Sequence, residues 1–309
     1  MAPVEVEITV DAVIVAVTGD SPRLLSVVGP GGQFSLPSGP LEDRDPTIEL
    51  GLRRWIREQA GLEVGYAEQL YTFGDMERGP ATQRGTGAAR RLSIAYLALV
   101  REGKPSDGAV WIDAYKFLPW EDHRHGRPPV IDDVIIPALR QYVAGTDESD
   151  TAAQTERVDI VFGADGAPFD GVRALERYEL MYEAGMVHES NAGTAIVDRV
   201  GSTGMYLDHR RIAATALSRL RGKLTYRPVV FELLPSRFTL SQLQRVVESL
   251  AGVGLHKQNF RRLVEGAGLV EGTGSMARTR GRPAELFRFR REVLRERPRP
   301  GVGTPWVHT

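Results

Sequence analysis

The stretch Phe238–Arg290, FTLSQLQRVVESLAGVGLHKQNFRRLVEGAGLVEGTGSMARTRGRPAELFRFR, decides how the C-terminal third of this chain folds. Thr239 is a favourable N-cap residue, and apolar residues follow it at the spacing of one helix face. They are Leu240, Leu243, Val246 and Val247. Gly252 and Gly254 end this helix in a short turn, after which a second helix is predicted to begin near His256.

The predicted second helix combines a buried stripe with an exposed face of basic and amide side chains. Phe260, Leu263 and Val264 form the stripe, and Leu269–Gly272 and Leu286–Phe289 are predicted strands. Helix, turn, helix and hairpin in this order predict a winged helix-turn-helix, whose second helix enters the major groove of DNA. The side chains predicted to contact DNA lie on the two helices and in the hairpin loop, or wing: Thr239, Gln242, His256, Lys257, Gln258, Asn259, Arg261, Arg262, Arg278, Arg280 and Arg282.

The charges are divided unevenly along the chain. Leu207–Arg299 contains 20 Lys and Arg against 8 Asp and Glu, a net charge of +12, whereas Met1–Tyr206 contains 19 against 32, a net charge of −13. A basic end on an acidic body indicates a polyanion partner for that end alone. The alternative is that two surface helices and a hairpin carry charge only to stay solvated. Element order and charge together favour double-stranded DNA.

Composition limits the class of protein. With 309 residues, 42% of them hydrophobic, the chain can form two domains. It contains no cysteine, which excludes disulfides, thiolate metal sites and cysteine nucleophiles and fits a reducing compartment. Glu5 and Glu7 stand where a signal peptide would be basic, and the apolar run Ala12–Val17 is too short to cross a bilayer. We therefore expect a cytoplasmic protein with no membrane partner.

The N-terminal half begins with strands and a helix in a recognisable order. Val4–Val17 and Arg23–Val28 are predicted to pair across a turn, and a helix is predicted from Ile48 to Ala60, ended by Gly61. Gly39–Leu62 resembles the Nudix motif, Gly-x5-Glu-x7-Arg-Glu-U-x-Glu-Glu-x-Gly-U with U aliphatic, if one extra loop residue is allowed. The resemblance implies an α/β sandwich, a mixed sheet between helices.

The departures from that motif affect its chemistry. Nudix pyrophosphohydrolases hold divalent metal with the carboxylates of the Arg-Glu-x-x-Glu-Glu core, but here Arg54–Gln59 has Trp55 and Gln59 at two of those places, and only Glu58 keeps a carboxylate. One exposed carboxylate is a poor magnesium site because the ion needs several oxygen ligands. We expect no metal site and lost or severely weakened hydrolysis. The alternative is an enzyme with relocated ligands, for which these acids are available: Asp43, Asp45, Glu49 and Asp75.

The same resemblance implies that ligand contacts come from residues in and beside the motif. These are Phe34, Pro37, Gly39, Arg54 and Glu58. Farther along, Leu70–Met76, Arg91–Arg101 and Trp111–Leu118 are predicted strands, and Pro129–Tyr142 is a predicted helix that closes the sandwich near Val143. The Gly-rich basic segment 78–90 is either a flap that reaches phosphate or a hairpin tip.

The middle of the chain carries fewer signals. Ala144–Thr155 has the composition of a linker, Glu156–Phe162 a strand pattern and Val172–Ala184 a helix pattern. This region is either a dimer-forming insert or a spacer. His188–Gly204 is predicted to be a flexible crossing because it is rich in Gly, Asn and Ser.

A further helix is predicted from Asp208 to about Leu224, with one apolar stripe and one basic face that would attract phosphate. The basic residues are Arg210, Arg211, Arg219, Arg221 and Lys223. Arg227 and Pro228 break this helix, and the tail after Val293 is expected to be mobile.

Several short motifs together resemble the C-terminal domain of Nudix-related transcriptional regulators of the NrtR type. They are Leu207-Asp208-His209, Leu220–Leu224, Phe231–Pro235, Phe238-Thr239-Leu240, Leu243-Gln244, Asn259–Arg262 and Gly281–Ala284. The predicted organisation is a Nudix-like sensing domain at 1–143, a linker or insert at 144–206, a winged helix-turn-helix domain at 207–292 and a mobile tail at 293–309.

This resemblance implies a homodimeric repressor of NAD or cofactor metabolism genes that binds a partly palindromic operator. ADP-ribose or a related NAD metabolite would be its effector, no cofactor would be required, and Mg²⁺ would matter only if hydrolysis were retained. Two alternatives remain. One is a Nudix pyrophosphohydrolase acting on ADP-ribose or NAD-like nucleoside diphosphate derivatives, and the other is a winged domain that contacts protein or RNA.

Overall fold

A seven-stranded mixed sheet organises the first 113 residues. The computed structural model describes residues 5–75, 90–145, 147–190, 194–277 and 283–303. The strand order is β3-β2-β1-β6-β5, with β4 paired to β1 and β7 to β2, and the central strands β1 and β6 are parallel. The strands are β1 Val6–Thr18, β2 Ser21–Val28, β3 Phe34–Ser35, β4 Ser38–Pro40, β5 Tyr66–Phe73, β6 Arg90–Leu99 and β7 Ala109–Asp113.

Helices cover both faces of this sheet, which confirms the predicted sandwich. On one face, Ile14 of β1 packs with Leu52 and Ile56, and on the other Val13 and its neighbours face the helices that follow residue 113. Both faces of β1 are buried, which explains its unbroken Val and Ile content. The helices are α1 Ile48–Ala60, α2 Ala114–Phe117, α3 Ile136–Ala144, α4 Glu148–Phe162, α5 Ala174–Glu183, α6 Thr194–Val200, α7 His209–Tyr226, α8 Leu240–Ala251, α9 Lys257–Gly266 and α10 Val293–Glu296.

The middle of the chain is helical, which corrects three expectations. Glu156–Phe162 is not a strand but the end of α4, and α4 begins inside the predicted linker Ala144–Thr155. The β-branched run favoured a strand locally, but Val158, Val161 and Phe162 are buried together at helical spacing, so tertiary packing decides. The predicted flexible crossing His188–Gly204 contains α6.

Two predicted boundaries also change. The strand predicted over Trp111–Leu118 ends at Asp113, because the Asp113 side chain accepts a hydrogen bond from Tyr115 N and begins α2. The helix predicted over Pro129–Tyr142 is found as a π-turn, Ile131–Ile135, that runs into α3.

The C-terminal third has the predicted winged helix-turn-helix order. Thr239 caps α8 in a reciprocal capping box with Gln242, and Gly252, at φ 72°, ends it. After α9, strands β8 Val270–Ala277 and β9 Ala284–Phe289 form a hairpin longer than the predicted one. The wing arginines 278, 280 and 282 and most of the basic segment 78–90 lie outside the described residues.

The segment after β9 is packed as far as residue 303, which corrects the expected mobile tail over 293–303. Val293 and Val302 are buried, and Val302 N donates to Leu224 O at 2.8 Å. Among the residues that the structure describes, no helix is both long and apolar enough to cross a membrane.

Candidate ligand pocket and nucleic-acid interface

A cavity of about 240 Å³ opens between the central strands of the sheet and the start of α7. Its floor is built from alternate residues of β1 and β6, which face the same side because side chains alternate along a strand. Glu7 lies opposite Arg91 and Thr9 opposite Ser93 in the parallel register, and Asp11 follows. The other lining residues come from β4, from the end of β5 and the two residues after it, from the first residue of β6 and from the segment that enters α7: Ser38, Gly39, Pro40, Phe73, Gly74, Asp75, Arg90, Tyr206, Leu207, Asp208, His209 and Ile212.

The two ends of this floor carry opposite charge character. At one end the Arg91 guanidinium lies 3.3 Å from Glu7, and its buried Nε has no hydrogen-bond partner among the described residues. Arg90 beside it donates to Gly74 O at 2.8 Å. At the other end, about 13 Å along the strand, the Asp11 side chain is almost fully buried and accepts a hydrogen bond from Ser93.

His209 joins this pocket to α7. It is the first residue of α7 and is 5% exposed, and its Nε2 lies 3.2 Å from Asp11 Oδ1. Its Nδ1 accepts a hydrogen bond from Leu36 N at 2.9 Å and lies 3.1 Å from Ser35 Oγ. Because Nδ1 accepts the Leu36 N–H, the ring proton lies on Nε2, the ring nitrogen that is 3.2 Å from Asp11 Oδ1.

Trp55 and Gln59 stand where a Nudix hydrolase would carry metal-binding carboxylates. The side chains of both residues form hydrogen bonds with the backbone of β4. Gln59 Oε1 accepts from Ser38 N at 2.9 Å, and Gln59 Nε2 donates to Ser38 O at 2.8 Å. Trp55 Nε1 donates to Pro40 O at 2.8 Å, and its ring fills the space beside Gly39, where an added Cβ would lie 2.1 Å from the ring. Neither side chain offers an anionic oxygen, so the residues present do not fit a divalent metal.

The other acids considered as metal ligands are engaged elsewhere or exposed. Arg54 pairs with Asp45 at 2.8 Å, and its hydrogen bonds lower the pKa of Asp45 to about 2. Asp43 is exposed, Glu49 pairs with Arg53 and Asp75 pairs with Arg211. Within the described ranges, no three His, Asp or Glu side chains are grouped to hold a metal ion.

The predicted ligand residues are only partly brought together. Gly39 lines the cavity, whereas Phe34 packs edge-on against Phe117 with 5.8 Å between ring centroids. Pro37, Arg54 and Glu58 are not among the lining residues. Sequence reasoning missed Asp11, Ser93, Arg91 and His209, although polar residues at alternate positions of Val-rich strands were a usable signal.

A buried ionic cluster ties α7 to the other parts of the molecule. Glu121, Arg177 and Arg221 have fully buried side chains, and Arg177 Nε donates to Glu121 Oε1 at 2.6 Å. Burial opposes ionisation of Glu121, but the charges of both arginines and their hydrogen bonds outweigh it and lower the pKa of Glu121 to about 2. Burial raises the pKa of Tyr115 to about 12, although the charge of the neighbouring Arg221 opposes this rise.

The same cluster contacts the turn between α8 and α9. Arg221 Nε donates to Leu250 O at 3.1 Å, and the Tyr115 hydroxyl donates to Ser249 O at 2.6 Å. His123 N donates to Gly252 O at 2.7 Å, at the residue that ends α8. Burial lowers the pKa of the His123 imidazole to about 4, so this side chain is neutral near pH 7.

The basic face predicted for α7 is internal, which corrects the expectation that it attracts phosphate. Arg210 and Arg221 are fully buried, Arg211 and Lys223 are largely covered, and Arg219 is exposed. Their carboxylate partners include Glu189, Glu121, Glu179 and Glu68. Four of the five basic residues are therefore covered by other parts of the molecule, and part of the charge asymmetry is neutralised inside it.

The second helix of the winged domain presents the predicted face. Phe260 and Val264 are buried as predicted, but Leu263 of the predicted stripe is 41% exposed, and the polar residues around them are exposed. These are Lys257, Gln258, Asn259, Arg261 and Arg262, with His256 at the N-cap position. Within the described part of the chain, Lys257 and Arg261 form no ion pair. Thr239 and Gln242 are held in the capping box that begins α8.

The fold and these sites define a class of protein, a Nudix-fold sandwich with a polar pocket joined to a winged helix-turn-helix. Residues 230–289 match the NrtR DNA-binding winged helix domain. The chain is similar, at 31% identity over 108 residues, to the ADPR responsive transcriptional repressor NtrR of Acinetobacter baylyi. That match covers 35% of this chain and 43% of the relative, so it spans less than half of that protein's length.

Solved structures extend the similarity of fold to both domains. NrtR of Shewanella oneidensis in complex with a 27mer DNA has a TM-score of 0.56 at 21% identity, covering 93% of this chain and 94% of that chain. A MutT/nudix family protein of Enterococcus faecalis has a TM-score of 0.51 at 15% identity, covering 94% and 88%. These findings confirm the predicted fold class and the resemblance to NrtR-type regulators.

Proposed function

We propose that this protein is a DNA-binding transcriptional regulator, acting as a repressor, whose Nudix-fold domain binds ADP-ribose or a related NAD-derived nucleotide. The observation that carries this proposal is the exposed basic and amide face of α9 in a domain that matches the NrtR winged helix. The name of the Acinetobacter baylyi relative, an ADPR responsive repressor, supports both the effector and the direction of control.

In this proposal, α9 contacts base edges and phosphates in the major groove through Lys257, Gln258, Asn259 and Arg261. The wing arginines 278, 280 and 282 contact phosphate or the minor groove. Two copies of the chain form a homodimer that places two α9 helices about one turn of DNA apart, roughly 34 Å. The operator is therefore partly palindromic. It lies upstream of genes of NAD or cofactor metabolism, and the protein acts in the cytoplasm.

The polar cavity beside α7 is the effector site. Its Arg90 and Arg91 end suits a diphosphate, and its buried polar end suits groups that donate hydrogen bonds. Metal-dependent hydrolysis is not part of the proposal, because Trp55 and Gln59 are hydrogen-bonded to β4 in place of ligating carboxylates. The division into sensing, middle and DNA-binding segments at 1–143, 144–206 and 207–292 belongs to the same proposal.

The test is a fluorescence anisotropy titration of the full chain on DNA from its own upstream region, with and without ADP-ribose. The same samples are assayed for AMP release with Mg²⁺. Tight binding to that DNA, weakened or strengthened by ADP-ribose without turnover, is expected. Rapid Mg²⁺-dependent cleavage of ADP-ribose with no affinity for duplex DNA at low salt would instead establish a pyrophosphohydrolase.

A further inference from the structure

We infer that Asp11 recognises the hydroxyl-bearing end of the pocket ligand and that His209 transmits the occupancy of Asp11 to α7. The inference rests on the proposed function, because it assigns the residues through which the effector acts on the DNA-binding domain.

The pocket floor orients a nucleotide diphosphate in one direction. A buried carboxylate repels phosphate, so the Asp11 end excludes the phosphate groups. The Arg90 and Arg91 end attracts them, because both guanidinium groups line the cavity and carry positive charge. The opposite end of the ligand then reaches Asp11 with neutral donors, such as ribose hydroxyl groups, which a carboxylate accepts.

A ligand that donates to Asp11 competes directly with His209. Asp11 Oδ1 lies 3.2 Å from His209 Nε2, and the other carboxylate oxygen accepts a hydrogen bond from Ser93. The other ring nitrogen is held by Leu36 N. A new donor at Asp11 therefore lengthens or replaces the 3.2 Å contact with Nε2 and changes how the first residue of α7 packs on the sheet.

α7 carries that change to the DNA-binding domain. Arg221 lies twelve residues after His209, about 18 Å along the helix. Its guanidinium is fully buried and donates to Leu250 O, one residue before the end of α8. Gly252, which follows α8, fits closely against this guanidinium, since an added Cβ would lie 2.3 Å from Arg221 Nη2. A displacement of α7 therefore reaches the turn that positions α9.

The test measures coupling in the full-length protein. The affinity for upstream DNA is determined without ligand and at saturating ADP-ribose, and the ratio of the two dissociation constants is the coupling factor. In His209→Asn the shorter amide reaches only the position of Nδ1, so the Leu36 contact is kept and the Asp11 contact is lost. His209→Gln reaches the position of Nε2 and restores a donor to Asp11. His125→Asn, on the exposed His125, is the matched control.

For unaltered protein and His125→Asn we expect a coupling factor in the range of about 5 to 150 that is typical of allosteric proteins. His209→Asn is expected to have a coupling factor close to 1, and His209→Gln to recover most of the effect. An unchanged coupling factor in His209→Asn would overturn the inference. Absence of any ligand effect in the unaltered protein would instead contradict the proposed function.

A second measurement follows the His209 imidazole in the unaltered protein itself. Long-range ¹H–¹⁵N spectra of the unaltered protein report both ring nitrogens of His209, with the signal assigned by its absence from His209→Gln. On addition of ADP-ribose the Nε2 signal is expected to shift while Nδ1, held by Leu36, changes less. If both nitrogen signals stayed in place at saturating ADP-ribose, the ligand would not act through this imidazole and the inference would fail.

Discussion

Gln59 of α1 and Ser38 of β4 exchange two hydrogen bonds through the Gln59 side chain, at 2.9 and 2.8 Å. A carboxamide can do this because it offers one acceptor and one donor, matching the N–H and C=O of a single backbone residue. A carboxylate at this position would offer only acceptors. The residue that replaces a metal-binding glutamate thus fastens the Nudix helix to the edge of the pocket.

Replacing this amide by an acid is expected to destabilise the fold. In Gln59→Glu the Ser38 N–H keeps its acceptor, but Ser38 O faces an anionic oxygen and loses its donor. We expect a loss of about 1–2 kcal/mol in the free energy of unfolding, measured by urea denaturation near pH 7. Glu58→Gln on the exposed side of α1 is the control and is expected to change little. Equal stability of the two variants would contradict the role given to Gln59.

The buried Glu121 cluster predicts a specific pH dependence. The folded pKa of about 2 lies below the ordinary glutamate value of 4.5, so Glu121 contributes stability that is fully present above about pH 4.5 and lost as the pH falls through 2. Glu121→Gln leaves two arginines buried with no carboxylate between them and is expected to cost about 3–5 kcal/mol near neutral pH.

Urea denaturation of both proteins from pH 7 to pH 2 tests this expectation. The difference in unfolding free energy is expected to stay constant down to about pH 4.5 and then to narrow, because the acid form of Glu121 makes the unaltered protein resemble the variant. Glu63→Gln, at the exposed pair with Arg57, is the control. A difference that does not vary with pH would show that the ionisation of Glu121 does not stabilise the fold.

Two glycines with similar backbone conformation separate strain from packing. Gly252 at φ 72° is closely packed, since an added Cβ would lie 2.3 Å from Arg221 Nη2 and 2.4 Å from Glu121 O. Gly274 at φ 69° has no described atom within 4 Å of an added Cβ. Gly274→Ala is expected to cost only the left-handed strain of about 1–2 kcal/mol. Gly252→Ala is expected to cost about 1–3 kcal/mol more, because a backbone oxygen must move. Thermal or urea unfolding that ranks the two equally would show that the junction is loosely packed.

The exposed cations of α9 are expected to set the salt dependence of DNA binding. Replacing both Lys257 and Arg261 by Ala is expected to weaken binding and to reduce the slope of log affinity against log salt by about 1–2. Arg57→Ala, on α1, is the control. The slopes are measured by anisotropy titrations at several salt concentrations. The same slope for the unaltered protein, the double variant and Arg57→Ala would show that these cations of α9 do not contact DNA.

The wing arginines give a separate sequence-based prediction. Replacing Arg278, Arg280 and Arg282 together by Ala is expected to weaken binding to all DNA sequences to a similar degree, because phosphate contacts carry little sequence information. The measurement compares the upstream DNA with a scrambled duplex of equal length. Selective loss on the upstream DNA alone would indicate that the wing contacts base edges.

Local signals predicted the elements whose boundaries are set by side-chain caps and glycines. α1 has the predicted bounds Ile48–Ala60 because Thr47 caps its start and Gly61, at φ 66°, ends it. α8 likewise begins after Thr239 and ends at Gly252. In both helices the capping residues form hydrogen bonds with the backbone of the helix itself, so the local sequence is enough to predict where the helix begins and ends.

Features decided by distant neighbours could not be predicted in this way. The run around Val158 has a strand pattern, but it is helical because it packs with α3 and α5. The pattern of α7 suggested that Arg210 and Arg221 lie on a side that faces water. Both are instead buried against carboxylates that are distant in sequence. The pocket residue His209 could not be paired with Asp11 because nearly two hundred residues separate them.

The most direct test of the central claim is reciprocity between the two binding sites. The dissociation constant of ADP-ribose is measured by calorimetry for the free protein and for the protein saturated with its upstream DNA. The account predicts that DNA changes the ADP-ribose constant by the same factor by which ADP-ribose changes the DNA constant, as linkage requires. Identical ADP-ribose constants with and without bound DNA would contradict the claim that the pocket controls DNA binding.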